Sequence, residues 1–158
     1  MTKLPIALAL LLLTSACATV AVPPETAPGA DFLVRNAAAK RVVTTPSGLQ
    51  YFVVESGPAT GRRAGPNDTV VFHYEGKLTT GEMFDSSYTG GNPLTGKVGD
   101  FVPGFTEALM LMRPGDEWIV WIPPALGYGE RAAGPIPANS VLRFKMELIS
   151  VTPAAAAQ

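Results

Sequence analysis

One stretch, Val70 to Ser87 (VVFHYEGKLTTGEMFDSS), constrains the fold most. It begins as a strand, because β-branched and aromatic residues dominate and Val70, Phe72 and Tyr74 alternate with Val71, His73 and Glu75. Gly76 loosens the run, Thr80-Gly81 turns it, and Met83-Phe84 resumes it. Asp85 follows Phe84 directly, so a phenol, a phenyl ring and a carboxylate fall on two paired strands facing a common interior. A carboxylate beside aromatic rings marks either a site or a local turn cap.

The remaining elements follow from the same two periods. Leu49 to Val54 is a short strand after the Pro46-Ser47-Gly48 turn, and Gly57 to Asn67 and Tyr88 to Gly99 are irregular connections. Phe105 to Met112 is the one helix of the domain, preceded by Pro103-Gly104 and ended by Pro114-Gly115. Phe105, Leu109 and Met112 share its face, and about two turns need a sheet to pack on. Glu117 to Ile122 and Val141 to Val151 are strands. The last alternates Leu142, Phe144, Met146 and Leu148 inward with Arg143, Lys145 and Glu147 outward. Strands, one short helix, then strands make an α+β unit in which an antiparallel sheet covers a single helix.

The first residues read as a targeting segment. Lys3 supplies the charge, and the apolar run from Leu4 to Leu13 is about ten residues, the length of a signal core and half of a membrane span. Leu13-Thr14-Ser15-Ala16-Cys17 resembles a bacterial lipobox, with lipidation at Cys17; cleavage after Ala18, as in a soluble secreted protein, also fits. Either outcome places the mature domain outside the cytoplasm: in the cell envelope, facing the periplasm and anchored to the outer membrane as a lipoprotein, or alternatively soluble in the periplasm or secreted. The expected division is a leader over 1–17, a tether over 18–41, a folded domain over 42–153 and a disordered tail over 154–158. Within the tether, Asp31 is expected to cap a short helix running to Lys40 or Arg41.

Composition excludes several functions. A formal charge of −1 gives no electrostatic attraction to nucleic acid, so the only expected membrane contact is a lipid anchor at Cys17. One histidine and one cysteine cannot form a His/Cys metal cluster, so no metal or cofactor is expected. His73 lies mid-strand and points away from Tyr74. Asp100, Glu107 and Asp116 read as loop and helix-end charges. What remains is an aromatic concavity of Tyr74, Phe84, Asp85, Phe105, Tyr128 and Phe144. Such a pocket suits binding of a small apolar group, and it also suits a reaction that needs no nucleophile, proton transfer or metal, as prolyl isomerisation does. Its barrier of about 18–20 kcal/mol comes from amide resonance, and the twisted transition state is less polar at the amide.

Four blocks then carry a resemblance. FHYEGKL with FDSS, VPGFTEALMLMRPGD, IPPALGYGE and IPANSVLRFKMEL resemble, in order and spacing, the FKBP-type peptidyl-prolyl cis-trans isomerases. The flank KRVVTTPSGLQYFVVESG looks like the bacterial periplasmic branch, and the match runs from Val42 to Val151. The resemblance implies a five-stranded antiparallel sheet wrapped around one helix, an activity that assists folding of exported proteins, and proline-containing polypeptides and macrolide inhibitors as partners. It implies that Tyr74 and Phe84 form one wall and Phe144 another, with Phe101 and Val102 before the helix. The Val102 amide would hold a carbonyl, Phe105 would be the floor, Ile136 would lie at the rim, and Tyr128 would donate its hydroxyl. Asp85 would orient Tyr74 and polar ligand groups. Phe105 stands where the family commonly has tryptophan, and Leu94 and Gly96 where many members carry phenylalanines. The alternative function is a non-catalytic proline-peptide-binding or chaperone module of the same fold.

One feature lies outside catalysis. Inward Trp118, Val120 and Ile122 leave Ile119 and Trp121 on the outer face, as the strand period leaves Phe52 and Val54, and the resemblance implies that these two strands lie side by side. A contiguous apolar patch of that kind needs a cover, either the Asp31–Lys40 segment or a second subunit.

Overall fold

The alternating runs pair antiparallel throughout. The structure, a computed structural model, describes residues 29–155; the expected leader, Cys17, most of the tether and the end of the tail lie outside the described residues. The strands are β1 (Val43–Thr44), β2 (Gln50–Glu55), β3 (Thr69–Leu78), β4 (Met83–Ser86), β5 (Leu94–Lys97), β6 (Glu117–Ile122) and β7 (Leu142–Thr152). They lie in the order β1-β2-β6-β7-β3-β4, with β5 also on β3. β5 occupies one half of the free edge of β3 (Phe72↔Leu94) and β4 the other (Gly76↔Asp85). Those two are halves of one interrupted edge strand. Counted so, the five expected strands are present, and β1 adds a two-residue extension. β5 falls inside a connection expected to be irregular, because Leu94-Thr95-Gly96-Lys97 has no apolar alternation of its own.

The inner face of this sheet is covered by a helix. Of two described α-helices, α2 (Pro103–Leu111) lies against the sheet with Phe105, Ala108 and Leu109 buried, and Met112 buried just beyond it. It starts two residues before the expected Phe105, because Pro103 supplies a helical φ and needs no N–H partner in the first turn. Gly104 permits the close approach to β6: a Cβ there would lie 2.6 Å from Ile122 Cγ2. The core beneath α2 is Phe72, Val120, Ile122, Leu142, Met146 and Leu148. Alternation in β7 stops at a bulge, where Val71 pairs with Ser150 but Phe72 with Leu148, leaving Ile149 exposed.

The outer face carries the other helix, α1 (Ala30–Ala37). Asp31 is not its cap; Gly29 holds that position, and Asp31 sits in the first turn, where a carboxylate faces the positive end of the helix dipole. The helix stops at Ala37, short of Lys40 and Arg41. Arg41 then turns at φ 69° and lays its guanidinium 4.8 Å from the Phe52 ring centroid. Gln50, on the same face as Phe52, is buried because α1 caps it: its Nε2 donates to the Leu33 carbonyl (2.9 Å), and its Oε1 accepts from Asn36 Nδ2 (2.8 Å). Phe32 and Trp121 border a common groove. Of the expected outer patch, Phe52 lies beside Arg41 and Trp121 borders the groove with Phe32, while Val54 stays 47% exposed; α1 covers the end of the patch at Gln50.

Candidate active site

Each side chain of the candidate site is delivered by an element whose reason for existing is local. The strand period places Tyr74 on the same face of β3 as buried Phe72, and Phe144 on the inner face of β7. β4 supplies Phe84 and Asp85, α2 supplies Phe105, and the turn before α2 supplies Phe101 and Val102. The connection between β6 and β7 brings Tyr128 and Ile136. All nine expected residues, together with Leu94, Asp100 and Pro135, border one cavity of about 560 Å³. Two placements differ from expectation. Ile136 is buried rather than at the rim, and Asp100 lines the cavity instead of being a plain loop charge.

The walls are rings packed edge to face. Phe105 meets Phe144 at 5.0 Å and 86° and Tyr74 at 6.1 Å and 88°, with Phe101 tilted beside it at 5.2 Å and 44°. Phe84 stands against Phe144 at 5.6 Å and 86°. Such pairs contribute about 0.5–1.5 kcal/mol each beyond burial and fix ring orientation. Two glycines make room for them. Gly76 does not merely loosen β3: a Cβ there would lie 2.5 Å from Phe84 Cε2 and 2.8 Å from Phe144 Cε1. At Gly96 on β5, a Cβ would lie 2.8 Å from Phe101 Cζ. The Phe101 ring therefore reclines on the strand at a place where the family resemblance leads one to expect a ring from β5 itself.

The polar groups are few and directed. Tyr74 Oη donates to Asp85 Oδ2 at 2.6 Å, while Asp85 Oδ1 accepts the Ser86 N–H at 2.9 Å. The carboxylate thus caps its turn and holds the phenol together. Burial, then the hydrogen bond and charge of Asp85, push the Tyr74 phenol up to about 12, so at neutral pH it is a donor. Val102 is the N-cap of α2 and its carbonyl accepts the N–H groups of Phe105 and Thr106, each at 3.0 Å. Tyr128 lies in the turn after Pro124–Leu126, with Gly129 at φ 61° beside it, and remains 43% exposed at the cavity mouth. His73 is on the other face of β3, as the strand period requires. Its Nδ1 lies 2.9 Å from Ser87 Oγ, and its ring stacks on Tyr88.

An enclosed floor of rings, one carboxylate tied to a phenol and a second phenol at the mouth offer apolar contact and hydrogen-bond donation. Comparison with known proteins points the same way. The sequence model of the FKBP-type peptidyl-prolyl cis-trans isomerases matches residues 60–149. The chain is 45% identical to the outer membrane protein MIP of Legionella longbeachae, over 82% of this chain and 55% of that one. It is 43% identical to the FKBP-type peptidyl-prolyl cis-trans isomerase FkpA of Aeromonas hydrophila, over 81% of this chain and 47% of that one. The crystal structure of FkpA from Escherichia coli superposes with a TM-score of 0.76 at 41% identity, covering 80% of this chain and 59% of that one. The chain spans about half the length of these curated relatives. A family model that takes in both walls and the floor of the cavity, on a matching fold, leaves one assignment: the chain belongs to the FKBP-type peptidyl-prolyl cis-trans isomerase family.

Proposed function

We propose that this chain is a peptidyl-prolyl cis-trans isomerase of the bacterial cell envelope that assists folding of exported proteins. The observation that carries the reading is the aromatic cavity closed by Phe105 and bordered by Tyr74, Asp85 and Tyr128. A prolyl ring seats on Phe105 between Tyr74, Phe84 and Phe144, out of water. As the amide twists, resonance is lost and its polarity falls, so the apolar walls favour the twisted state over the planar one. The Tyr128 hydroxyl donates to a substrate carbonyl, and so does the Val102 amide. Asp85 holds Tyr74 in place and orients polar groups of the ligand, and no proton is transferred. Phe101 and Ile136 complete the apolar enclosure, and macrolides compete for it. The leader and Cys17 support location in the envelope, through a lipid anchor in the outer membrane or as a soluble periplasmic domain; one relative is itself named an outer membrane protein.

A protease-coupled assay on proline tetrapeptides tests this directly. The protein should accelerate the slow phase, and a macrolide should suppress the acceleration. Tyr128→Phe, losing one hydrogen bond in the transition state, should lower kcat/KM about three- to tenfold. No acceleration, with proline peptides still bound, would instead make the domain a binding module.

A further inference from the structure

The edge of β3 is interrupted at one place. β5 pairs with Thr69 to Phe72 and β4 pairs from Glu75 onward, so neither strand faces His73 or Tyr74 on that side. The Tyr74 backbone is nevertheless satisfied. Its N–H donates to Ser87 Oγ at 2.9 Å, and its carbonyl accepts the Ser87 N–H at 3.0 Å, with the Ser87 hydroxyl 3.2 Å away. One serine, just past the end of β4, stands in for the absent strand.

The serine is itself held from the outer face. His73 Nδ1 lies 2.9 Å from Ser87 Oγ, and the imidazole stacks on Tyr88 with centroids 4.6 Å apart and planes 14° from parallel. Tyr88 Oη in turn donates to Glu147 Oε2 on β7 at 3.3 Å. A hydroxyl has one proton and two lone pairs, and with the His73 tautomer protonated at Nδ1 the three partners around Ser87 Oγ use all of them. The same short segment that binds the Tyr74 backbone through Ser87 binds its phenol through Asp85. Tyr74 is therefore gripped at both ends, and its N–H is held by a side chain rather than by a strand ladder.

We infer that Ser87 is a positioning residue for the pocket phenol, with the His73–Tyr88 stack as its outer support. The role rests on the isomerase reading, since it acts on Tyr74 rather than on substrate. Small misplacements of a catalytic group are expensive, on the order of a hundredfold in rate per 1 Å.

Amide exchange by NMR and peptide isomerisation test it together. In the wild type the Tyr74 amide should exchange slowly although neither β4 nor β5 pairs it. Ser87→Ala should speed that exchange and lower kcat/KM about tenfold, chiefly through kcat, while the unfolding transition stays cooperative. Ser87→Thr, which keeps the hydroxyl, should restore both. If Ser87→Ala fails to fold, His73→Phe keeps the stack on Tyr88, removes Nδ1, and should raise Tyr74 exchange several-fold. Fast Tyr74 exchange in the wild type, or unchanged exchange in the available variant, overturns the inference. So does an active wild type matched by an equally active Ser87→Ala. A wild type that accelerates no prolyl peptide overturns the isomerase reading and the positioning role together, even where slow Tyr74 exchange shows that the hydrogen bond exists.

Discussion

On the inner face of the sheet, Tyr74, Phe84 and Phe144 meet Phe105 of α2 around an open cavity, whereas on the outer face Gln50 is bonded to α1, Trp121 borders a groove with Phe32, and Phe52 lies beside Arg41. The inner face uses stiff rings in edge-to-face contact, which enclose a volume without filling it. The outer face uses directional polar bonds. Helix α1, of eight residues, is too short to be stable alone, and Gln50 anchors it through Leu33 and Asn36. The difference teaches where each face tolerates change: one depends on ring volume, the other on paired donors and acceptors.

Removing a ring should break the inner face most severely. Phe105 touches Phe72, Tyr74, Phe101 and Phe144, so Phe105→Ala should cost about 3–5 kcal/mol in denaturant unfolding and abolish activity. A cost below about 1 kcal/mol would mean that the walls stand without their floor. Adding atoms to the same face should come next. Gly76→Ala forces a methyl group into the Phe84 and Phe144 rings and should cost about 1–3 kcal/mol, with reduced kcat/KM. Wild-type stability and activity in that variant would show that the rings have room to move.

On the outer face, Gln50→Leu leaves the Leu33 carbonyl and Asn36 amide unpaired. It should cost about 1–2 kcal/mol and alter tryptophan fluorescence through Trp121, with kcat/KM unchanged. A fall in kcat/KM there would join the two faces into one unit. The smallest effect lies at the sheet's end, away from both. The N–H groups of Gly65 and Ala154, and Arg62, hold the Asp68 carboxyl below its usual range against the opposing effect of burial. A folded value below the unfolded one gives stability that is present above about pH 4 and is lost as pH falls through the depressed value. Asp68→Asn should flatten that acid limb of the unfolding midpoint, and an unchanged slope would remove Asp68 from the account.

Local periodicity made much of the fold legible. Val70 to Glu75 and Leu142 to Leu148 alternate because one side of each strand faces the core, and Phe105, Leu109 and Met112 recur at helical spacing for the same reason. The pairing of an aromatic run with Asp85 pointed to residues that border one cavity. β5 was not legible, because a four-residue edge with a glycine is stabilised only by the strand it joins. Asp100 read as a loop charge because nothing local says that its turn abuts the cavity. Gly76 read as a flaw in a strand, and only the crossing of Phe84 and Phe144 gives it a purpose.

What the sequence determined by itself about this protein is the set of faces: which residues turn inward, and that a single short helix lies against them between Pro103 and Pro114. Those properties depend on backbone periods and on neighbours in the chain. The tertiary structure alone decided the gaps and approaches between distant segments. Ser87 and Tyr74 meet across a break in the sheet edge, Phe101 rests on Gly96, and Gln50 lies under α1. Each of these joins residues whose separation along the chain carries no periodic signal, so their contact energies become legible only once the sheet has brought them together.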